Sequence, residues 1–253
     1  MIKAKKDLGQ NFLIDDIIIN KIVETINPNS QDIFLEIGPG RGAITKPLLK
    51  FIKHLHAVEI DKDLIRGLEK IENTNISIHN ESILNFQTEN FVDMNLRIMG
   101  NLPYNISTQI MLWTFENLAI LKDAHFMFQK EFGERLISEN HKKSFGRLSV
   151  LTQYLTKPKF CFEIEPESFF PEPKVKSIFI KLIPIKGRSF NDSLTQKIQE
   201  VSRIAFMHKR KMVGKSLKSV LSVEELINLG IDIKARPENL SVEDYVKISE
   251  TLI

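Results

Sequence analysis

The feature that most constrains the fold is an alternation of short apolar segments with helical segments over the first 130 residues. Five apolar segments fit β-strands, at residues 32–38, 54–61, 75–79, 96–99 and 124–129. Each is short and ends at a polar or glycine residue, which is typical of a buried strand. Helical segments separate most of them, and parallel strands need such crossover connections. The pattern therefore predicts an α/β fold with a Rossmann-like, mostly parallel sheet.

Polar residues follow the carboxyl ends of these strands, at Gly38, Glu59, Glu81 and Asn101. In an open parallel sheet, those ends share one crevice, and ligands bind there. The sequence therefore places its candidate site at this edge of the sheet.

The loop Gly38-Pro-Gly-Arg-Gly42 leaves the first strand, and Glu59 follows about twenty residues later, where a carboxylate can hold both hydroxyls of a ribose. The spacing Gly-x-Gly-x-Gly differs from that of dinucleotide-binding loops, and Glu36 places a carboxylate just before the loop. A pyrophosphate would be repelled there. S-adenosylmethionine has an adenosine, no phosphate and a positive sulfonium, so it fits both observations. The alternative is that the glycines only form a tight turn.

The apolar run 96–99 leads through Gly100 to Asn101-Leu-Pro-Tyr104. Asn offers an acceptor and a donor, Pro fixes the backbone, and Tyr supplies a flat face. Such a tip could hold an aromatic amine. The alternative is a strand-to-helix turn in which Asn is a cap and Tyr belongs to the core.

Segments 159–165 and 175–183 have no helix between them, which predicts an antiparallel pair at the sheet edge. The loop between them carries Phe169 and Phe170 among prolines. Such a loop could stack a base on an aromatic ring, or it could be a rigid connection with one Phe folded under it.

A linker at 184–189 precedes a region that the pattern predicts to be all helical, so we expect a catalytic domain at 1–184 and a small helical domain at 189–253. Between Val201 and Val223 there is no acidic residue, and a basic stretch of this kind is a candidate phosphate-binding patch. Its six basic residues are Arg203, Lys209, Arg210, Lys211, Lys215 and Lys218.

The composition of the chain excludes some classes of protein but does not indicate a function. A chain of 253 residues that is 42% hydrophobic can bury a substantial core. The net charge of +3 is too small to indicate a nucleic-acid partner by itself. A single cysteine excludes an internal disulfide, and no apolar run is long enough for a signal peptide or a membrane span. We expect a cytoplasmic protein without membrane contact, and the histidine spacing predicts no metal site.

Several motifs, in this order, resemble those of the rRNA adenine N6,N6-dimethyltransferases, over nearly the whole chain. They are Gly9-Gln-Asn-Phe-Leu13, Glu36 to Gly42, Val58-Glu-Ile-Asp61, Asn101 to Tyr104, Gln129-Lys-Glu131, Phe169 to Ser177, and Ala205 to Lys211. Lys209-Arg-Lys211 and Arg236 to Ser241 resemble the branch that acts on the small ribosomal subunit. The resemblance implies a class I methyltransferase sheet followed by a small helical RNA-binding domain.

The resemblance also implies roles for individual residues. The cofactor, S-adenosylmethionine, would be bound by Asn11, Leu13, Gly38, Glu59, Glu81 and Asn101. The family usually has Gly-Asp after the third strand where this chain has Asn80-Glu81, so Glu81 departs from the pattern by one methylene. Tyr104 and Phe170, with Phe169 as the alternative, would sandwich a flipped adenine.

The expected chemistry follows from the weakly nucleophilic adenine amine. Acceptors at the Asn101 side chain and at the carbonyl of Leu102 or Pro103 would hold its N–H groups and favour a pyramidal nitrogen whose lone pair points at the methyl group. No strong base is needed, so catalysis would come from positioning and preorganised polar groups.

The leading hypothesis is dimethylation of two adjacent adenosines in the 3′-terminal hairpin of small-subunit (16S) rRNA, by a monomer acting on a partly assembled particle. One rival is a large-subunit methylase of the macrolide-resistance type. Another is a ribosome-assembly factor in which methylation is incidental. A nucleotide-dependent oxidoreductase is disfavoured by Glu36 and the glycine spacing.

Overall fold

The computed structural model describes residues 4–91 and 94–253, apart from the side chain of Lys6. The chain forms two compact units. The first comprises residues 1–133 and 159–183, and the second comprises residues 134–158 and 184–253. No helix in the described part of the chain is long and apolar enough to cross a membrane.

The first unit is built on a seven-stranded sheet, with a separate two-stranded ribbon. The strands are β1 (Phe12–Leu13), β2 (Ile33–Ile37), β3 (His54–Val58), β4 (Ile76–His79), β5 (Leu96–Asn101), β6 (Leu121–Gln129), β7 (Thr156–Ile164), β8 (Phe169–Phe170) and β9 (Ser177–Pro184). The sheet order is β4-β3-β2-β5-β6-β9-β7. From β4 to β6 the neighbours are parallel, and β9 runs antiparallel to β6. The predicted Rossmann-like sheet with an antiparallel edge is confirmed.

Helices separate most of the parallel strands, and further helices follow the sheet. They are α1 (Asp16–Ile26), α2 (Thr45–Leu48), α3 (Lys62–Leu68), α4 (Ser107–Glu116), α5 (Lys130–Ile137), α6 (Arg147–Leu155), α7 (Ser193–Met207), α8 (Val213–Ser216), α9 (Val223–Asn228) and α10 (Val242–Glu250). The first helix begins after Asp15, whose carboxylate caps it by accepting hydrogen bonds from the N–H groups of Ile17 and Ile18.

A two-stranded ribbon joins parts of the chain that the sequence describes only as loops. In β1 and β8, Phe12 lies opposite Phe170 and Leu13 lies opposite Phe169. Leu13 and Phe169 belong to the hydrophobic core. The ribbon therefore fixes the amino-terminal segment against the segment that follows β7.

Gly100 allows β5 to lie close to β2. A Cβ atom at this position would come 2.6 Å from the carbonyl oxygen of Ile37 and 2.9 Å from a methyl group of Leu102. Any side chain would therefore push the end of β5, and with it Asn101, out of place.

The division into units differs from the predicted domains, because residues 134–158 belong to the helical unit. Here α6 packs on α7 and α10, and its buried side chains include Val150 and Tyr154. Tyr245 on α10 is fully buried, and its hydroxyl donates to the Pro237 carbonyl at 2.8 Å. The apolar face of α6 is thus covered by helices from much later in the chain, which local sequence patterns do not reveal.

Candidate active site

A cleft of about 1020 Å³ of empty space, counting its open mouth, lies at the carboxyl ends of β2, β3 and β5. It is lined by every predicted cofactor residue and by four of the five predicted catalytic residues: Asn11, Leu13, Gly38, Glu59, Glu81, Asn101, Leu102, Pro103 and Tyr104. The cleft is large enough for a nucleoside-sized ligand.

The glycine loop leaves the floor of this cleft open. Gly38 has a φ of +64°, and a Cβ atom there would meet nothing within 4 Å. A φ in this range strains other residues. The backbone of Gly38 therefore faces open space that a ligand can approach closely.

Glu59 is held by two backbone donors. One carboxylate oxygen accepts from the Gly40 N–H at 3.1 Å, and the other accepts from the Asp61 N–H at 2.9 Å. Burial raises the pKa of Glu59, and backbone hydrogen bonds from Asp61, Gly40 and Ile60 oppose that shift. A carboxylate has about four acceptor positions, so Glu59 can still accept from a hydroxyl group of a ligand.

Glu36 differs from the prediction in its charge. Its side chain is buried and accepts a hydrogen bond from the Thr45 hydroxyl at 2.6 Å. Burial raises the pKa of Glu36 to about 8 despite the Thr45 bond, and the nearby Glu59 raises it further. This raised pKa weakens the predicted repulsion of a pyrophosphate, because Glu36 carries less negative charge near neutral pH than a free carboxylate would. A cation beside Glu36 would instead favour loss of its proton.

The side chain of Asn101 has a fixed orientation. Its amide nitrogen donates to the main-chain carbonyl of Asn11 at 2.8 Å, which directs its Oδ1 acceptor away from that bond. The amino-terminal segment thus acts on the site through its backbone, at the residue before β1.

The structure distinguishes the two carbonyls that were candidate acceptors. The Pro103 carbonyl accepts from the Ile106 N–H at 3.3 Å and from the Ser107 hydroxyl at 3.2 Å. The Leu102 carbonyl accepts no hydrogen bond from the described residues. Leu102 therefore has the free carbonyl.

Two aromatic residues of the predicted base sandwich have opposite environments. Phe169 is 2% exposed and lies in the core, whereas Phe170 is 52% exposed. Phe170 does not line the cleft itself. Because burial leaves Phe169 no open face, only Phe170 of this pair can offer its ring to a ligand.

The amino-terminal segment is tied to the turn after β3. Asp61 accepts from the Lys5 ammonium at 2.5 Å and from the Gln10 amide at 2.8 Å. Asp61 also caps α3 through the Asp63 N–H. These contacts connect the segment that lines one wall of the cleft with the strand end that carries Glu59.

The family of ribosomal RNA adenine dimethylases matches residues 1–253, which is the whole chain. The chain belongs to this family.

Similar proteins agree with this assignment. The chain is 42% identical over 250 residues to a protein of Dechloromonas aromatica named ribosomal RNA small subunit methyltransferase A, covering 98% of each chain. It is similar to the crystal structure of a dimethyladenosine transferase from Plasmodium falciparum, with a TM-score of 0.83, 26% identity, and coverage of 94% of this chain and 95% of the other. The 23S rRNA methyltransferase ErmE has a TM-score of 0.78 and 25% identity, with coverage of 96% and 99%.

An rRNA adenine dimethylase is a methyltransferase, and enzymes of this family and fold generally use S-adenosylmethionine. The cleft suits such a ligand. It offers an anchored carboxylate at Glu59, an open backbone at Gly38 and apolar side chains at Leu64 and Ile83. Of the described residues, no group of three or more His, Cys, Asp or Glu could hold a metal ion.

The six basic residues predicted to bind RNA all lie in the helical unit, and all are exposed. Arg203 is on α7, Lys215 is on α8, and the others lie in the turns that follow these helices. The Lys209 ammonium donates to the Lys143 carbonyl at 2.7 Å. This contact adds Lys143, and with it the neighbouring exposed Lys142, to the same basic region. The sequence prediction missed these two lysines because they lie more than fifty residues before the others.

Sequence reasoning also assigned no role to Lys5, Thr45 or Ser177. Ser177 lies within a motif that carries the family resemblance, and its hydroxyl is 2.7 Å from the Tyr104 hydroxyl. Nothing local in the sequence relates the two residues, which are 73 positions apart.

Proposed function

We propose that this rRNA adenine dimethylase transfers methyl groups from S-adenosylmethionine to the N6 amines of two adjacent adenosines in the 3′-terminal hairpin of small-subunit (16S) rRNA, in a partly assembled particle. The observation that carries the proposal is the anchored Asn101, whose amide nitrogen is bound by Asn11 while its Oδ1 atom remains available as an acceptor. The 42%-identical relative named for the small subunit supports this choice of substrate. As an rRNA-modifying enzyme similar to bacterial relatives, it would act in the cytoplasm, as a monomer.

For the cofactor, we assign the ribose hydroxyls to Glu59 and the close backbone approach to Gly38. Asn11 and Leu13 would form one wall, and Glu81 would accept from the adenine amine. Bound S-adenosylmethionine supplies an electrophilic methyl group on a positive sulfur. The two carboxyls nearby, Glu36 and Glu59, have raised pKa values caused first by burial, and a cation in the cleft would stabilise their ionised forms.

For the target, the Asn101 Oδ1 atom and the Leu102 carbonyl would accept the two N–H groups of the adenine amine. Two acceptors on one nitrogen oppose its planar geometry and raise the availability of its lone pair. Both acceptors are fixed before the substrate arrives, one by Asn11 and the other by the end of β5, so little reorganisation accompanies the reaction. Methyl transfer makes the nitrogen cationic and acidifies its N–H groups, so one proton can leave to water. One N–H then remains, and one of the two acceptors can still hold it.

For the base itself, the ring of Tyr104 would stack on one face of the flipped adenine and Phe170 on the other. The exposure of Phe170 and the burial of Phe169 support this choice. The basic residues of the helical unit would bind the rRNA backbone, without reading its sequence.

The fold alone does not decide against large-subunit rRNA, since a protein named 23S rRNA methyltransferase, ErmE, matches it with a TM-score of 0.78. The large-subunit alternative therefore needs a direct test. The assembly-factor alternative predicts that RNA binding matters and methyl transfer does not.

The test incubates the protein with labelled S-adenosylmethionine and, separately, undermethylated small subunits and large-subunit rRNA. Modified nucleosides are then identified by mass spectrometry. We expect dimethyladenosine in the small subunit alone, and roughly 100-fold less of it with Asn101→Ala. Label in the large-subunit RNA would overturn the choice of substrate. RNA binding with no label anywhere would support the assembly factor.

A further inference from the structure

Tyr104 is anchored by its hydroxyl group as well as by its backbone. The residue lies in the 3₁₀ turn Tyr104–Ile106, directly after β5, and lines the cleft. Its hydroxyl is 2.7 Å from the hydroxyl of Ser177, the first residue of β9. The two hydroxyls are within hydrogen-bonding distance, and both residues belong to the first unit.

Ser177 is itself rigidly placed. It is 0% exposed and lies opposite Gln129 in the antiparallel pairing of β9 with β6. The Lys130 N–H donates to the Lys176 carbonyl at 2.9 Å, which extends this pairing by one residue. The Ser177 hydroxyl therefore has a fixed position relative to the strand that runs beside β5.

Burying a hydroxyl is unfavourable unless it has a hydrogen-bond partner. Among the described residues, the only partner of the Ser177 side chain is Tyr104. Burial raises the pKa of Tyr104, against the effect of the Ser177 hydrogen bond, so the phenol is neutral at physiological pH. Tyr104 thus lines the cleft, while its hydroxyl lies within hydrogen-bonding distance of Ser177.

We propose that Ser177 is a positioning residue for methyl transfer, which fixes the ring of Tyr104 through the hydroxyl–hydroxyl bond so that the ring stacks on the target adenine. This inference rests on the proposed role of Tyr104 in stacking. It also makes Tyr104 a purely stacking residue, with no part in proton transfer. A ring that can tilt holds the bulkier monomethylated adenine less firmly, so the second methylation should suffer more than the first.

The experiment compares Ser177→Ala, Tyr104→Phe and the double variant with the unchanged protein. The substrate is whichever rRNA the unchanged protein methylates. We expect each single change to lower kcat/KM by roughly three- to tenfold, the size expected for one lost hydrogen bond. The double variant should lose no more than either single variant, because all three lack the same bond. Affinity for S-adenosylmethionine should not change.

Stacking is read directly by placing 2-aminopurine at the target position and measuring its fluorescence. We expect weaker quenching on stacking, and a larger fraction of monomethyladenosine, for both single variants. Ser177→Thr keeps the hydroxyl and should restore quenching. Ser249→Ala removes another fully buried serine hydroxyl, on α10, and should change neither readout.

The proposal is wrong if the losses of the single variants multiply in the double variant, or if quenching and the monomethyl fraction match those of the unchanged protein. Tyr104→Phe leaves Ser177 in place, so it still tests the bond if Ser177→Ala fails to fold. Methylation of large-subunit rRNA by the unchanged protein would instead contradict the proposed function, and the Ser177 comparison would then be made on that RNA.

Discussion

At the amino ends of β2, β5 and β6, the carboxylates of Asp32 and Asp123 are buried together with the guanidinium of Arg97. At the carboxyl ends of β2 and β3, Glu36 and Glu59 are buried beside the cleft, where their hydrogen-bond donors are a hydroxyl group and backbone N–H groups. Arg97 lies 2.7 Å from Asp32 and 2.8 Å from Asp123. One sheet thus buries carboxyl groups with cationic partners at one end and with neutral donors at the other.

The pKa values shift in opposite directions as a result. Burial alone would raise the pKa values of Asp32 and Asp123, but hydrogen bonds from Lys122 and Arg97 outweigh it and both pKa values are lowered. The pKa values of Glu36 and Glu59 are raised by burial. The aspartates therefore stabilise the fold above their ordinary pKa, and this contribution is lost as the pH falls. The glutamates destabilise the fold as the pH rises, because ionised forms must then be buried. One end is arranged for stability, and the other is arranged to receive a cation.

The largest effect should come from Arg97→Met, which removes the one buried cation that both buried aspartates, Asp32 and Asp123, share among the described residues. We expect the free energy of unfolding to fall by about 3–5 kcal/mol at pH 7, measured by urea denaturation. Arg66→Met, an exposed arginine on α3, serves as the matched control and should change stability by less than about 0.5 kcal/mol. A loss below about 1 kcal/mol for Arg97→Met would contradict the contrast between the two ends.

Glu59→Gln tests the carboxyl ends of the strands, where we expect a substitution to weaken cofactor binding. A neutral amide is a weaker acceptor for hydroxyl groups, and its NH₂ group cannot accept from the backbone N–H of Gly40 or Asp61. We expect affinity for S-adenosylmethionine to fall by about 10- to 100-fold, the worth of one hydrogen bond to a charged group, in calorimetric titration. Glu69→Gln, at the end of α3 and exposed, should bind normally. Unchanged affinity in Glu59→Gln would exclude the ribose assignment.

Glu36→Gln should remove a dependence of stability on pH that the buried Glu36 carboxyl introduces. With a folded pKa of about 8 above its ordinary value of 4.5, Glu36 makes the free protein lose stability between these pH values, by at most about 1.4 kcal/mol per pH unit. The Gln variant should lack this slope in urea denaturation at pH 6, 7 and 8.

The same group should distinguish the charged cofactor from its neutral product. Affinity for S-adenosylmethionine should rise with pH up to about 8 relative to affinity for S-adenosylhomocysteine, because only the cation favours ionised Glu36. The ratio should depend less on pH in Glu36→Gln, where Glu59 is the one of the two carboxyls that can still respond to the cation. An equal slope in both proteins would show that Glu36 remains ionised, or remains protonated, throughout.

The sequence predicts which residues lie at the carboxyl ends of the strands better than it predicts their protonation and their hydrogen bonds. Strand segments and the polar residues that follow them are predicted from patterns of a few residues, and the structure brings Glu59 and Asn101 together in the lining of the cleft. The protonation of Glu36 depends on how completely the sheet buries it. The hydrogen bond of Asn101 to Asn11 joins residues 90 positions apart. Neither property can be calculated from local spacing.

Helix α1 shows the same limit on a smaller scale. The isoleucines at 14, 18, 22 and 26 predict the helix, but a spacing of four drifts around a helix of 3.6 residues per turn. The buried face consists of Ile19, Ile22, Val23 and Ile26, and Ile14 is exposed. The period identifies the element, whereas the sheet it packs against selects the face.

The smallest effect is expected for Lys122→Met. This variant tests whether an exposed cation at the amino ends of the strands stabilises the fold as much as the buried Arg97 does. The Lys122 ammonium is 2.9 Å from Asp32, and its bond lowers the pKa of Asp32 at least as much as the Arg97 bond does. Its side chain is 46% exposed, however, whereas that of Arg97 is 3% exposed. Water can replace an exposed ammonium, so we expect the free energy of unfolding to fall by less than about 1 kcal/mol.

Raising NaCl to 0.5 M should abolish this small difference in urea denaturation and leave the Arg97→Met deficit nearly intact, because salt screens exposed pairs far more than buried ones. Equal losses for the two variants would mean that proximity, rather than burial, determines the value of these ion pairs.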